Sequence, residues 1–351
     1  MARLSVLLSR SLLPLAAVGA LLSGCSPAYV VEAAYTHSKI LLGRKRIDRL
    51  IADPATPSDE RAKLETVLAA RRFAQLMGLD PGESFTKYAR VDGDVLAWIV
   101  AGAKPDAFEL HTWWFPIVGT VPYKGYFDRA AAESEAARLE RRGYETWVRG
   151  TEAFSTLGWF NDPVLSTTLR HDHTSIANTV IHESVHTTVW IPNHVDFNES
   201  LANFVGVRGA LDFARSLIPP SAERTSAAEI ALTRELEIGD AVMRMYAALD
   251  ALYKSTASRE EKLATRAAIF EREMAPVRAT YPTLKILKSI NNAEIIQLKL
   301  YLTALPDFAA LFEQSGGDWS RFFGKIREIR DRVDTDAATD PFAVLKQLAA
   351  S

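Results

Sequence analysis

Apolar residues recur every three or four positions in two long parts of the chain, and this period is typical of amphipathic helices. In the first part, residues 28–79, the period predicts two or three helices that are interrupted at Asp53. We expect Ser58 or Asp59 to be the N-cap of the helix that follows this break. Gly78 is expected to end the helical region, because glycine readily adopts the left-handed conformation that follows a helix C-terminus.

The second helical part begins at Ser221, after a hinge formed by Pro219 and Pro220. The same period predicts long helices around 227–252, 259–272 and 291–300. From Asp334 onward the residues are polar and alanine-rich, and we expect them to fray. The two helical parts therefore flank a central region of different character.

Short runs of β-branched and aromatic residues lie in this central region and predict strands over 95–100, 112–115 and 145–148. An alanine-rich helix is expected between them, over 128–141, ending at Gly143. The fold class predicted from these patterns is α+β and predominantly helical, with one small sheet.

Composition excludes several classes of protein. The 351 residues are 48% hydrophobic and 24% charged, which is ordinary for a globular chain that buries a core. The formal net charge of −2 lacks the basic excess of a nucleic-acid-binding protein, so no nucleic-acid partner is expected. We find no stretch of about 20 apolar residues within the body of the chain, as a polytopic membrane protein would need. The single cysteine excludes a disulfide framework and a cysteine-rich zinc site.

The N-terminus has the pattern of a secretory signal. Arg3 and Arg10 supply positive charge, residues 11–22 are apolar, and Cys25 follows a small Ser-Gly pair. This arrangement resembles the bacterial lipobox, which implies cleavage before Cys25 and lipidation of its thiol and new amine. Ser26 then implies sorting to the outer membrane, facing the periplasm. A plain cleaved signal with an incidental cysteine is the alternative.

One pentapeptide, His182-Glu183-Ser184-Val185-His186, has the HExxH pattern of zinc peptidases. On a helix, residues four apart lie on one face, so both imidazoles can bind one ion. Ala177, Ile181, Val185 and Val189 form a neighbouring apolar stripe, which predicts the helix independently of the motif. The alternative is that the two histidines bind no metal and lie on a solvated helix face or have a structural role in the core.

A catalytic zinc usually takes a third protein ligand and leaves a fourth position for water. Metzincins would have Gly at 189 and His at 192, whereas this chain has Val189 and Pro192. Glu199 is our candidate, because small residues (Ala202, Gly206, and Gly209 or Ala210) follow it on one face of a second helix and permit close packing.

Other residues near Glu199 leave alternatives open. Glu199 could simply be a carboxylate favoured by the helix dipole, and His194 is the rival third ligand. Asp196 or Asn198 is expected to be the N-cap of the second helix.

Two histidines and one glutamate form the ligand set of the gluzincin metallopeptidases, and the Asn198-Glu199 pair resembles theirs. Only twelve residues separate His186 from Glu199, fewer than in thermolysin-like enzymes, so the connection must be tight. Further segments resemble a bacterial family of predicted aminopeptidases, which are lipoproteins with an HExxH. The resembling segments are 121–127, 154–163, the HExxH, 197–202 and 291–293.

The motif predicts a zinc-dependent hydrolysis of peptide bonds in which Glu183 is the general base for a metal-activated water. Candidate oxyanion donors are Tyr126, Tyr301, His171 and His173. His171 and His173 could instead support a zinc-bound imidazole, or be ordinary loop histidines. Asn291, Asn292 and Tyr301 could line the cleft, and residues 154–157 could form a substrate-binding edge strand.

These interpretations divide the chain into a signal peptide (1–24), an N-terminal helical region (25–95), a zincin-like catalytic core (96–215) and a helical C-terminal subdomain (216–351). We expect a lipid-anchored, one-zinc aminopeptidase that acts on peptides or proteins of the bacterial cell envelope. Two alternatives are a zinc endopeptidase of envelope proteins and a non-catalytic zinc lipoprotein that assists envelope assembly. Glu183 argues against the last alternative, because a structural zinc site has no need of it.

Overall fold

The computed structural model describes residues 40, 42–115, 119–151 and 162–350. The expected signal peptide, Cys25 and the expected edge strand at 154–157 lie outside the described residues. Within them the chain is α+β and mostly helical, as predicted from the sequence.

The helices follow one another along the whole described chain. In order they are α1 (Ile47–Ala52), α2 (Ser58–Leu76), α3 (Arg129–Glu140), α4 (His173–Thr188), α5 (Val195–Arg215), α6 (Ala222–Lys254), α7 (Arg259–Thr280), α8 (Asn292–Leu302), α9 (Leu305–Gln314), α10 (Trp319–Thr335) and α11 (Pro341–Ala349), with a short 3-10 helix at Thr168–Arg170.

The strands are short and form three small sheets rather than the single sheet expected from the sequence. They are β1 (Lys45–Arg46), β2 (Lys87–Ala89), β3 (Ala97–Ala103), β4 (Trp113–Phe115), β5 (Gly119–Val121), β6 (Tyr123–Tyr126), β7 (Glu145–Thr151) and β8 (Val164–Leu165). Their orders are β1-β2-β8, β6-β3-β7 and β4-β5.

The sheet β6-β3-β7 is antiparallel throughout and is covered on both faces. Val100 points to one face, where it packs with Ala132 and Leu139 of α3. Ala101 and Ala103 point to the other face and pack with Ala293 of α8. Because side chains alternate along a strand, this parity decides which residues of β6 and β7 lie on the side of α8.

Helix α4 lies in the centre of the main core. Its N-terminus is capped by Asp172, whose side chain accepts a hydrogen bond from the backbone N–H of Ser175 at 2.9 Å. The predicted apolar stripe is confirmed, since Ala177, Ile181 and Val185 are fully buried. Helices α2 and α5 pack against α4, and α6 and α8 pack in turn against α5.

Two glycines of α5 bring it close to α4. A Cβ atom on Gly206 would lie 2.2 Å from Oδ1 of Asn178 and 3.1 Å from Cβ of His182. A Cβ on Gly209 would lie 3.0 Å from a side-chain carbon of Ile181. The close packing predicted from the small residues of this face is therefore confirmed.

Two predicted N-caps differ from the structure. Helix α2 begins at Ser58, so Pro57 occupies the N-cap position. Helix α5 begins at Val195, with His194 as N-cap, so the prediction of Asp196 or Asn198 was wrong. Asn198 lies in the first turn of the helix instead, where its side chain binds the preceding loop. Gly78 follows the end of α2 with a φ of 91°, as predicted.

The C-terminal residues fold rather than fray, so that prediction was also wrong. Residues Pro341–Ala349 form α11, which buries Val344, Leu345 and Leu348 against the core. Asp340 caps this helix by accepting a hydrogen bond from the N–H of Phe342. The three apolar side chains at a helical spacing outweigh the polar composition of the segment.

One helical segment of the described residues, Asn292–Gln314, is long and apolar enough to cross a membrane by length and composition alone. This segment contradicts the expectation that the body of the chain has no apolar stretch of this length. Ala304 has a φ of 55° and divides the segment into α8 and α9. Asn292 and Gln297 are buried polar side chains within it, and we assign the segment to the protein core.

We predict that Gly206→Ala destabilises the protein by about 1–3 kcal/mol, because an added methyl group has no room between α5 and α4. Gly324→Ala is the control, since a Cβ at this exposed position of α10 meets nothing within 4 Å. The control should be neutral or stabilising by up to about 1 kcal/mol. Urea unfolding of both variants measures the difference, and equal stabilities would contradict the close approach.

Candidate metal centre

The two histidines of the HExxH lie on the same face of α4 and point toward one carboxylate. Nε2 of His182 and Nε2 of His186 are each 3.6 Å from Oε2 of Glu199. The three candidate ligand atoms all lie within 4.8 Å of one another, and among the described residues this group could hold a metal ion. The side chains are largely buried, with His186 only 3% exposed.

A tight loop between α4 and α5 positions Glu199. Asn193 adopts a left-handed conformation with a φ of 65°, which turns the chain. The side chain of Asn198 then binds both backbone groups of Ile191: Oδ1 accepts from its N–H at 2.9 Å, and Nδ2 donates to its C=O at 2.8 Å. The loop is thus fixed directly before Glu199, and the short connection expected from the sequence is made in this way.

The spacing of the three atoms suits a metal ion better than direct hydrogen bonds. At 3.6 Å the imidazole–carboxylate contacts are longer than an ordinary hydrogen bond. Zinc binds histidine nitrogen and carboxylate oxygen at about 2.0–2.2 Å, so two such ligands at a tetrahedral angle lie about 3.4 Å apart. The donor set and its spacing therefore fit zinc.

Burial and charge act in opposite directions on Glu199. Burial alone would raise the pKa of this carboxyl, but the two facing imidazoles lower it to about 2. Burial likewise opposes protonation of His182, and the negative charges of Glu199, Glu183 and Glu235 still raise the pKa of its imidazole. The centre thus has a strong negative field, which favours a cation between the ligands.

Glu183 lines a small cavity of about 20 Å³, together with Asp162, Thr168 and Thr179. Its Oε2 atom is buried and has no hydrogen-bond partner among the described residues. Nδ1 of His186 is likewise without a partner there, so no residue of the described chain supports this imidazole from behind. A buried carboxylate oxygen without a partner is costly, and such groups are often functional.

Tyr301, at the C-terminal end of α8, lies beside the ligands. Its ring centroid is 6.5 Å from that of His182, with nearly parallel planes. Burial and then the charge of Glu199 raise the pKa of the phenol to about 12, although the cation of Arg149 acts against them. Two hydrogen bonds connect this end of α8 to α5, because the hydroxyl of Ser200 donates to the C=O of Leu300 and accepts from the N–H of Thr303.

Three other predicted site residues lie elsewhere. The ring of Tyr126 packs on the α3 face of its sheet, with Trp98 and Val100, so strand parity directs it away from α8. His173 lies nine residues before His182, and its Nδ1 atom makes a 2.7 Å hydrogen bond with the hydroxyl of Thr66. His171 is exposed at the end of the 3-10 helix. Tyr126, His171 and His173 are therefore not neighbours of the candidate ligands, whereas Tyr301 is.

Asn291 and Asn292 have packing roles. Asn291 is the N-cap of α8 and donates to the C=O of Thr146. Asn292 is fully buried, where it accepts from the hydroxyl of Tyr253 and donates to the C=O of Lys104. Both side chains fasten α8 to the sheet rather than line a cleft. His194, the rival ligand, is the N-cap residue of α5 and is not part of the ligand group.

Several residues at the centre were not identified from the sequence. The ring of Trp190 lies 5.9 Å from that of His186. Asn203, one turn after Glu199, donates to Oε1 of Glu235 at 2.8 Å and to the C=O of Tyr301 at 2.9 Å. Only Asn203 had a local signal, since it follows Glu199 at the helical spacing of four. Glu235 is brought in by the packing of α6 on α5.

Comparison with known proteins gave one match. A family model described as "Putative aminopeptidase" matches residues 28–339, which is most of the chain. No curated protein and no solved structure matches it.

We predict that the protein binds one Zn²⁺ and that Glu199→Ala weakens this binding by more than the ~10–100-fold typical of losing an outer-shell partner of a ligand. His194→Ala is the control and should keep the affinity of the wild type, because His194 lies outside the ligand group. Competition with a zinc-sensitive chelating dye measures both. Weaker zinc binding in the His194 variant, or unchanged zinc binding in the Glu199 variant, would contradict the assignment of Glu199 as the third ligand.

Proposed function

The chain belongs to the family described as "Putative aminopeptidase", and on this premise we propose that it is a zinc-dependent peptidase with its active site at His182, Glu183, His186 and Glu199. The family description supports a hydrolase of peptide bonds.

The convergence of three ligand atoms with the unpartnered carboxylate of Glu183 supports the proposal best. Structural zinc sites usually have four protein ligands, whereas catalytic sites have three and an open position. Among the described residues three side chains form the ligand group. A structural site would also give no reason to keep the buried, unpartnered Oε2 atom of Glu183 beside it.

Zinc held by this ligand set supplies water with a pKa lowered to about 7 and a positive charge that polarises a carbonyl group. Glu183 is then the general base that takes a proton from water and returns it to the leaving amine. Its cavity has room for a single small molecule beside the carboxylate. We assign stabilisation of the oxyanion to Tyr301, whose pKa of about 12 keeps the phenol protonated, and therefore a donor, at neutral pH.

We further propose that lipid on Cys25 anchors the protein to the outer membrane, facing the periplasm. Support comes from the basic and apolar pattern before Cys25 and from Ser26 after it. Peptides or proteins of the envelope are then the substrates. An endopeptidase would use the same residues, and a non-catalytic assembly factor would hold zinc without hydrolysing peptides.

We predict that Glu183→Gln keeps one zinc per chain and loses about 100–10,000-fold in the rate of peptide hydrolysis, the range typical of general-base catalysis. The soluble form that starts after Cys25 is assayed on a mixture of short peptides by mass spectrometry, with metal content measured in parallel. Glu223→Gln is the matched control, because Glu223 is exposed in the first turn of α6.

Each outcome of this assay separates two interpretations. Equal activity of the Glu183 variant and the wild type would exclude Glu183 as the base. A wild type that binds zinc and cleaves no peptide would favour the non-catalytic lipoprotein instead.

We predict that Tyr301→Phe lowers kcat about 100-fold with little change in KM, because removal of one oxyanion donor costs about that much or more. The phenylalanine keeps the ring that packs against His182. Steady-state kinetics on the best peptide of the mixture measure both constants. An unchanged kcat would exclude Tyr301 as the donor.

A further inference from the structure

A second cavity lies next to the metal centre and shares a wall with it. It has a volume of about 630 Å³ and lies between α6, the connection from α7 to α8, and α8. Tyr301 belongs to the lining of this cavity and also lies beside His182. This one residue is therefore shared by the cavity and the candidate metal centre.

The walls of this cavity carry both apolar and polar side chains, and Glu235 is the acidic one among them. Ile238 on α6 and Leu298 and Leu302 on α8 supply aliphatic surface. Glu235 lies among them on α6 and is only partly buried. The cavity therefore combines a surface for an apolar group with one carboxylate.

The position of Glu235 relative to the ligands is fixed by Asn203. The Nδ2 atom of Asn203 donates to Oε1 of Glu235 at 2.8 Å and to the backbone C=O of Tyr301 at 2.9 Å. Asn203 lies one helical turn after Glu199 on α5, so the same helix that carries the third ligand also orients the carboxylate.

Glu235 keeps its negative charge available in the cavity. Its hydrogen bond comes from a neutral amide, and it forms no ion pair with a lysine or arginine of the described residues. Arg234 and Lys285 also line the cavity, but both are exposed. A carboxylate held by one neutral donor, in a partly apolar wall, is well suited to bind a cation from outside.

We propose that Glu235 binds the protonated α-amine of the substrate and that the adjacent cavity accepts an apolar N-terminal side chain. This inference rests on the proposed peptidase function and specifies its substrate class: peptides with a free amino terminus and an aliphatic first residue. In such a peptide the amine is on the carbon next to the scissile carbonyl. The group that binds the amine must therefore lie beside the metal ligands without being one of them, as Glu235 does.

Tyr281, directly after the C-terminus of α7, closes one end of the cavity. The hydroxyl of Tyr281 donates to the carboxylate of Glu237 at 2.6 Å, which joins the end of α7 to α6. Tyr281 is part of the lining, and Glu237 lies two residues after Glu235 on α6. A bounded pocket suits the first residue of a chain better than the middle of an extended one.

The test compares L-leucine p-nitroanilide with its N-acetylated form in zinc-loaded wild type, Glu235→Gln, Glu235→Asp and the control Glu223→Gln. Glutamine can still accept the hydrogen bond of Asn203, so it removes the charge with little change in shape. We expect Glu235→Gln to lose about 10–100-fold in kcat/KM on the free amine, mainly through KM, since bonds to charged groups are worth this much. The slow hydrolysis of the acetylated form should not change, and Glu235→Asp should recover part of the loss.

A second measurement uses the wild type alone, so its result does not depend on whether a variant folds. L-leucinamide should inhibit hydrolysis of the free-amine substrate at least about 10-fold more strongly than 4-methylpentanamide, which lacks only the amine.

Three results would overturn the inference. Equal inhibition by the two amides would do so, as would a Glu235→Gln variant that keeps the full preference for the free amine. Equal hydrolysis of both substrates by the wild type would also overturn it, while leaving the peptidase function intact. A zinc-loaded wild type that hydrolyses neither these substrates nor the peptide mixture would refute the peptidase function and the inference together.

Discussion

The close packing of α5 against α4 is the constraint on which the metal centre depends. Gly206 has no side chain at the point where a Cβ would lie 2.2 Å from Asn178 and 3.1 Å from Cβ of His182. Any larger residue would push α5 outward, and Glu199 on the same helix would move away from both imidazoles. A glycine in a helix interior costs about 1 kcal/mol relative to alanine. Here this cost accompanies a buried group of two histidines and one carboxylate with metal-ligand spacing.

Three short polar side chains near the start of α5 make separate sets of hydrogen bonds around this contact. Asn198 satisfies both backbone groups of Ile191 in the loop before α5. Ser200 fastens the end of α8 to α5, which brings Tyr301 to the ligands. Asn203 then holds Glu235 and the carbonyl of Tyr301. Ser200 and Asn203 thus position residues of two other helices, while Asn198 fixes the loop before α5. Each of the three also satisfies polar groups that would be costly to leave without a partner.

Local sequence patterns predicted most of the helices before Thr303 and the grouping of His182, His186 and Glu199, because both depend on spacing within one or two helices. They failed where tertiary contacts decide. Asn198 has the side chain of an N-cap, but the loop to Ile191 uses it instead. The alternation along β6 shows that its residues occupy two faces but does not show which face meets α8, so the position of Tyr126 on the α3 face could not be predicted. Glu235 is an ordinary acidic residue of a long helix, and only the packing of α6 against α5 brings it to Asn203.

The three candidate ligands lie on one pair of consecutive helices joined by a short loop, whereas the cavity beside them is built from α6, α7 and α8. Contacts between residues close in sequence form early and with little loss of chain entropy, while distant contacts form late. The two halves of the centre therefore have different folding histories. Under the proposed function, the candidate ligands of the α4–α5 pair would come together before the cavity forms, so a folding chain would load its metal before it could cleave a peptide.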